Sequence, residues 1–215
     1  MKEPKRIFDT LWSPSRHKIR FVPLEVKLSS IILIAIIFVY AQTPTLFPEA
    51  LSQIVRNELT FYLILILIAS LYLKKKPLDR VTAKRAVWEL GIFAFLTWFV
   101  LLGLYSVSEA LFPIQVQITP LLTTVPALAY TMFFIGAYSE EMFFRGFLQN
   151  EFGVVITSFI FSGIHLHFLQ AGLGLFPFIV LFLFSIIVGV IHAKFKSIYP
   201  AVGTHFTFNL FMAVI

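Results

Sequence analysis

Seven apolar runs, set apart by polar or proline-bearing stretches, organise the chain: Leu28–Ala41, Leu59–Leu73, Trp88–Phe112, Val125–Phe147, Phe152–Phe168, Phe176–Ala193 and Ile198–Ile215. None alternates with the period of a half-buried strand, and most approach the roughly 17–25 residues that a membrane-spanning helix needs. The first two fall short, so their flanks must contribute to any span. The pattern predicts an all-α, polytopic transmembrane bundle of about seven spans. Residues 1–27, basic and broken by prolines, precede a single transmembrane domain over 28–215. That first segment is expected at the membrane surface, with Trp12 and Phe21 at the headgroups. Neither an internal repeat nor a low-complexity linker interrupts the pattern.

Composition narrows this further. Of the 215 residues 59% are hydrophobic and 13% charged, about half the charge of a soluble domain, so lipid is the expected solvent. The net charge of +6 does not indicate nucleic acid, because the basic residues follow membrane topology and have no separate domain to occupy. With the N-terminus inside, seven of the 17 Lys and Arg residues lie in the first inner segment and six in the stretch 74–87. Lys194 and Lys196 fall in the last inner segment, and only Arg56 lies outside. The positive-inside rule therefore predicts a cytoplasmic N-terminus. The first run lacks a small-x-small cleavage site and is expected to stay in place. Absence of cysteine removes disulfides, thiolate metal sites and cysteine nucleophiles.

Ionisable side chains within spans are costly and mark function. Those that stand out are Glu140, Glu141, Arg145, His165, His167 and His205, together with the amide of Asn209, all in the four C-terminal runs. Glu141 and Arg145 are spaced for a helical ion pair, whereas Glu140 is rotated about 100° and faces elsewhere. Phe161 and His165 share a face, as do His205 and Asn209, while His167 points away from His165 and is assigned to packing. At about 1.5 Å per residue, Glu140, His165, His205 and Asn209 reach a common slab in the cytoplasmic half. An active-site cavity is expected there, among the four C-terminal helices.

A carboxylate, two imidazoles and an amide suit water-mediated amide hydrolysis. Glu140, with His165, can hold and deprotonate a water, and His205 with Asn209 can donate to the oxyanion. Asp9 and Asp79 lie outside the runs, and neither an H-E-x-x-H nor a G-x-S-x-G motif is present, which sets aside aspartyl, zincin and serine-elbow designs. No cofactor is expected. Zinc held by His165, His205 and Glu140 or Glu141 is the minority alternative. Outside enzymes, a non-catalytic membrane partner or scaffold of a signalling or immunity system is the main rival. A transporter ranks below it, since paired broken-helix repeats are missing.

Three motifs in order, Glu140-Glu141-Met142-Phe143-Phe144-Arg145, Phe161-Ser162-Gly163-Ile164-His165 and His205-Phe206-Thr207-Phe208-Asn209, resemble the CAAX protease and bacteriocin-processing family of membrane endopeptidases, also labelled abortive-infection proteins. The resemblance covers about residues 125–215. It implies a glutamate-type intramembrane protease with Glu140 and His165 activating water, His205 and Asn209 forming the oxyanion site, and Glu141 and Arg145 mainly structural. The implied substrate is a membrane-associated peptide or protein: CAAX-type, pheromone or bacteriocin, or C-terminal sorting signal. The short chain looks like a member from a prokaryotic cytoplasmic membrane. Oligomeric state is left open.

Overall fold

The computed structural model describes residues 24–46, 49–111, 127–165 and 175–214. Among them every regular element is helical: α1 (Leu24–Leu46), α2 (Glu49–Lys75), α3 (Ala83–Leu111), α4 (Ala127–Phe143), a π turn (Phe144–Leu148), α5 (Gln149–Ile164), α6 (Phe176–Phe195) and α7 (Tyr199–Val214). The helix α1 packs on α2, α2 on α4, α3 on α7, and α5 on α6, with α7 also against α4 and α6. Large apolar side chains such as Ile34, Phe38, Phe95, Val100, Phe159 and Ile187 are exposed, while Glu141, Arg145, Ser158 and Ser185 are buried. Apolar groups outside and polar groups inside is the arrangement that lipid selects.

Among the described residues five stretches are long and apolar enough to cross a membrane, against the seven expected. Two features account for the difference. The helix α7 has only 16 residues, and α4, the π turn and α5 form one stretch of 35, Tyr130–Ile164. That stretch does not run straight. A continuous helix would separate Phe144 from Phe161 by about 25 Å, yet their ring centroids are 5.1 Å apart. The chain reverses at Gly153, where φ is 77° and ψ 176°, a region essentially restricted to glycine.

The helix termini correct several sequence boundaries. The helix α1 begins at Leu24, within the segment taken as non-spanning, and it buries Glu25 completely. Polar residues 49–58, read as a loop, form the first turns of α2, because a backbone near lipid satisfies itself by continuing the helix. Pro77 follows the end of α2, and the Thr82 hydroxyl accepts from the Arg85 amide at 3.3 Å to cap α3. Lys76 and the Tyr72 hydroxyl both bond Glu151, tying the end of α2 to the start of α5.

Close helix contacts depend on two glycines. A Cβ on Gly203 would lie 2.4 Å from the Leu90 carbonyl oxygen, so α7 touches the backbone of α3 there. A Cβ on Gly136 would lie 2.8 Å from the Tyr62 hydroxyl. Small residues at such crossings bring helices together without an aqueous hydrophobic effect. His205 stands two residues beyond Gly203, and Glu140 one turn beyond Gly136.

Candidate active site

Glu140 and Glu141 end the regular part of α4, and their side chains separate as the helical rotation requires. Glu141 is wholly buried and bonded on both oxygens. Arg145 Nε donates to Oε2 at 2.9 Å, and His205 Nδ1 bonds Oε1 at 2.8 Å. Arg145, also wholly buried, donates from Nη2 to Ser185 Oγ on α6 at 3.0 Å. Its guanidinium lies 5.5 Å from the Phe161 ring centroid. The π turn that carries Arg145 adds a residue to the helical repeat, a distortion recurrent at functional sites.

Glu140 faces the other way, into a cavity of about 870 Å³. Its Oε2 is buried without a hydrogen-bond partner and lies 3.9 Å from His205 Nε2. The same cavity is lined by His165, His205 and Asn209, so the four groups expected to share a depth share a wall. His165 is the residue at which α5 stops, with φ −95° and ψ 11°, and Nδ1 sits 2.8 Å from the Phe161 carbonyl oxygen. Such a bond assigns the proton to Nδ1 and the lone pair to Nε2 in the neutral ring. The Phe161 ring packs against both imidazoles, with centroids 4.8 Å from His165 and 5.6 Å from His205. Thus one aromatic ring holds His165, His205 and the Arg145 guanidinium in register. His167 lies outside the described residues.

The cavity is wider than expected. Besides α4 to α7, α2 lines it with Asn57, Glu58, Phe61 and Tyr62, so an N-terminal helix supplies more than hydrophobicity. Among the described residues no three His, Asp or Glu side chains are grouped to hold a metal ion.

Residues 120–211 match a family model described as "Rce1-like: Type II CAAX prenyl endopeptidase Rce1-like". This stretch of the chain is similar to Rce1-like endopeptidases. Proteins of that family are intramembrane CAAX proteases, hydrolases that act on peptide bonds. Neither a curated protein nor a solved structure matches the chain. The matched stretch takes in α4 to α6, most of α7 and all three motifs, whereas α2, which closes one side of the cavity, lies outside it.

Contacts of Ser185, of the α6 polar stripe and of Glu141 within the matched stretch escaped the sequence reading. Ser185, as a partner of Arg145, had a visible signal: Ser185, Gly189 and His192 recur at helical spacing in an otherwise apolar run. Gly189 carries the next rung, with Gln149 Nε2 donating to its carbonyl at 2.9 Å. His192 meets the same test of an ionisable group in a span, but its Nδ1 bonds the Ser197 carbonyl oxygen at 3.0 Å. The third, the bond between Glu141 and His205, joins residues 64 apart in sequence and has no local signature.

Proposed function

We propose that this chain is a glutamate-type intramembrane endopeptidase in which Glu140 and His165 activate water and His205 and Asn209 stabilise the oxyanion. The observation that carries this reading is the Glu140 carboxylate, buried, turned into the cavity and left with an unpartnered oxygen 3.9 Å from His205 Nε2. A group so placed needs a partner, and a substrate water supplies one.

Glu140 takes a proton from that water as its oxygen attacks the scissile carbonyl carbon. It returns the proton to the amine nitrogen as the C–N bond breaks, and ends ionised as it began. His165 accepts at Nε2 and holds the water in line. His205, whose Nδ1–H donates to Glu141, donates from Nε2 only when its ring carries both protons. The Glu141 carboxylate balances that charge, the part a triad carboxylate plays. Asn209 adds an amide donor. Arg145 and Ser185 keep Glu141 in place. The chain's own residues suffice for every step, so no cofactor is assigned.

The cavity wall is largely apolar, with Phe133, Leu181, Phe208 and Met212 among its residues. It suits a membrane-associated peptide of CAAX, pheromone, bacteriocin or sorting-signal type. Charge placement supports a cytoplasmic N-terminus, and we assign the chain to a prokaryotic cytoplasmic membrane. The test compares peptide termini in host membranes and medium with wild type or Glu140→Gln at matched levels. Termini produced only by wild type are expected; identical profiles with both proteins folded would overturn the reading.

A further inference from the structure

The cavity contains a second carboxylate that the chemistry above does not use. Glu58 lies on α2, is exposed, and lines the same cavity as Glu140. Among the described residues no Lys or Arg lines the cavity. The nearest base on α2, Arg56, does not line it; Arg56 is turned along its own helix and donates to the Ser52 carbonyl at 3.3 Å and to Ser52 Oγ at 3.1 Å. Between the two carboxylates stands Tyr62, whose hydroxyl is in hydrogen-bonding reach of Glu58, lies in the field of Glu140 and nests against Gly136. Among the described residues, the ionisable side chains lining the cavity are therefore two acids, two imidazoles and this phenol.

Two contacts fix the register of the helices that carry the acids. Tyr62 meets Gly136, and Leu73 meets Gly146 with its Cδ1 at 3.6 Å. Sequence numbers thus rise together on both helices, and α2 and α4 run parallel. Glu58 is one turn before Tyr62, and Glu140 one turn after Gly136. Their Cα positions are then about eight residues apart along the helix axes, or about 12 Å at 1.5 Å per residue. The carboxylates lie closer than that, because Glu58 reaches the Tyr62 hydroxyl at Gly136. An extended peptide covers about 12 Å in three to four residues, which bounds the spacing from above.

We infer that Glu58 forms a subsite for a cationic substrate side chain, so that the enzyme prefers a Lys or Arg within four residues of the bond it cleaves. The inference rests on the protease reading and gives it a substrate class: an apolar, membrane-associated peptide with a base near the cleaved bond. Phe61 and Phe133 supply apolar walls of the same cavity, against which the methylenes of a long basic side chain can lie.

The experiment incubates a proteome-derived peptide library with the full-length protein in lipid vesicles and reads new termini by mass spectrometry. Wild type, Glu58→Gln, Glu58→Lys and Glu140→Gln are run side by side. Wild-type termini are expected to show Lys and Arg enriched about fivefold at one position within four residues of the cleaved bond, as one partly exposed ion pair allows. Glu58→Gln removes the enrichment, and Glu58→Lys replaces it with Asp and Glu. Termini that depend on Glu140 but show no such enrichment, or an enrichment unmoved by Glu58→Lys, would overturn the subsite while leaving the protease. Termini unchanged by Glu140→Gln, or none at all, would overturn both.

Discussion

Two neighbouring residues divide the centre of this molecule into unlike regions. On the cavity side stand Glu140, His165 and Asn209, with a buried carboxylate oxygen lacking any partner. Behind them runs a polar spine of Ser185, Arg145, Glu141 and the Nδ1 edge of His205, in which both Glu141 oxygens are bonded. Most structural polar groups in a low-dielectric interior are satisfied by the protein. Arg145 Nη1 in the spine is also buried without a partner, so what sets Glu140 apart is that its unpartnered oxygen belongs to a side chain lining the cavity. His205 belongs to both regions, with one nitrogen in the spine and the other facing Glu140.

The sharpest way to break the comparison is Glu140→Gln. It keeps shape and burial and removes the base, so turnover should fall about 10²–10⁴-fold while thermal unfolding in detergent is unchanged. An equal loss of stability would make Glu140 part of the spine. Next in size, Arg145→Ala leaves Glu141 charged and buried without its cation, which should cost about 3–5 kcal/mol, read by denaturant unfolding.

The double variant Glu141→Gln with Arg145→Met separates the spine's two tasks. Replacing both partners removes the unpaired charge, so much of the stability should return relative to Arg145→Ala. Turnover should stay low, because His205 loses the carboxylate that orients it. Recovery of both would assign the spine to folding alone. Smallest is Ser185→Ala, which removes one hydrogen bond to a charged group and should cost about 1.5–3 kcal/mol, with a modest fall in kcat and an unaltered KM. A raised KM instead would place Ser185 in substrate binding.

The division between Glu140 and Glu141 was legible in the sequence, because adjacent helical residues cannot face the same way and only one of them lies four residues before Arg145. Glu25 shows the limit of that logic. Its position outside the apolar run suggested a surface residue, yet α1 begins at Leu24 and buries it, with the Tyr138 hydroxyl donating to its backbone carbonyl at 3.0 Å. Hydropathy registers side chains, whereas helix ends also depend on where the backbone can be satisfied. Glu58 likewise stands just outside an apolar run, and it lines the cavity.

By itself the sequence determined the solvent, the helical class and the candidates for chemistry, because apolar run length, charge placement and i, i+4 spacing are local properties of a chain in lipid. Tertiary structure decided what those residues touch. The reversal at Gly153 brings Phe161 back onto the π turn, Gly203 sets α7 against α3, and the Glu141 bond to His205 closes across 64 residues. Such contacts depend on helix crossings set by single glycines and on a backbone angle that no periodicity encodes, which is why the pairing of carboxylates with imidazoles emerged only when the helices were packed.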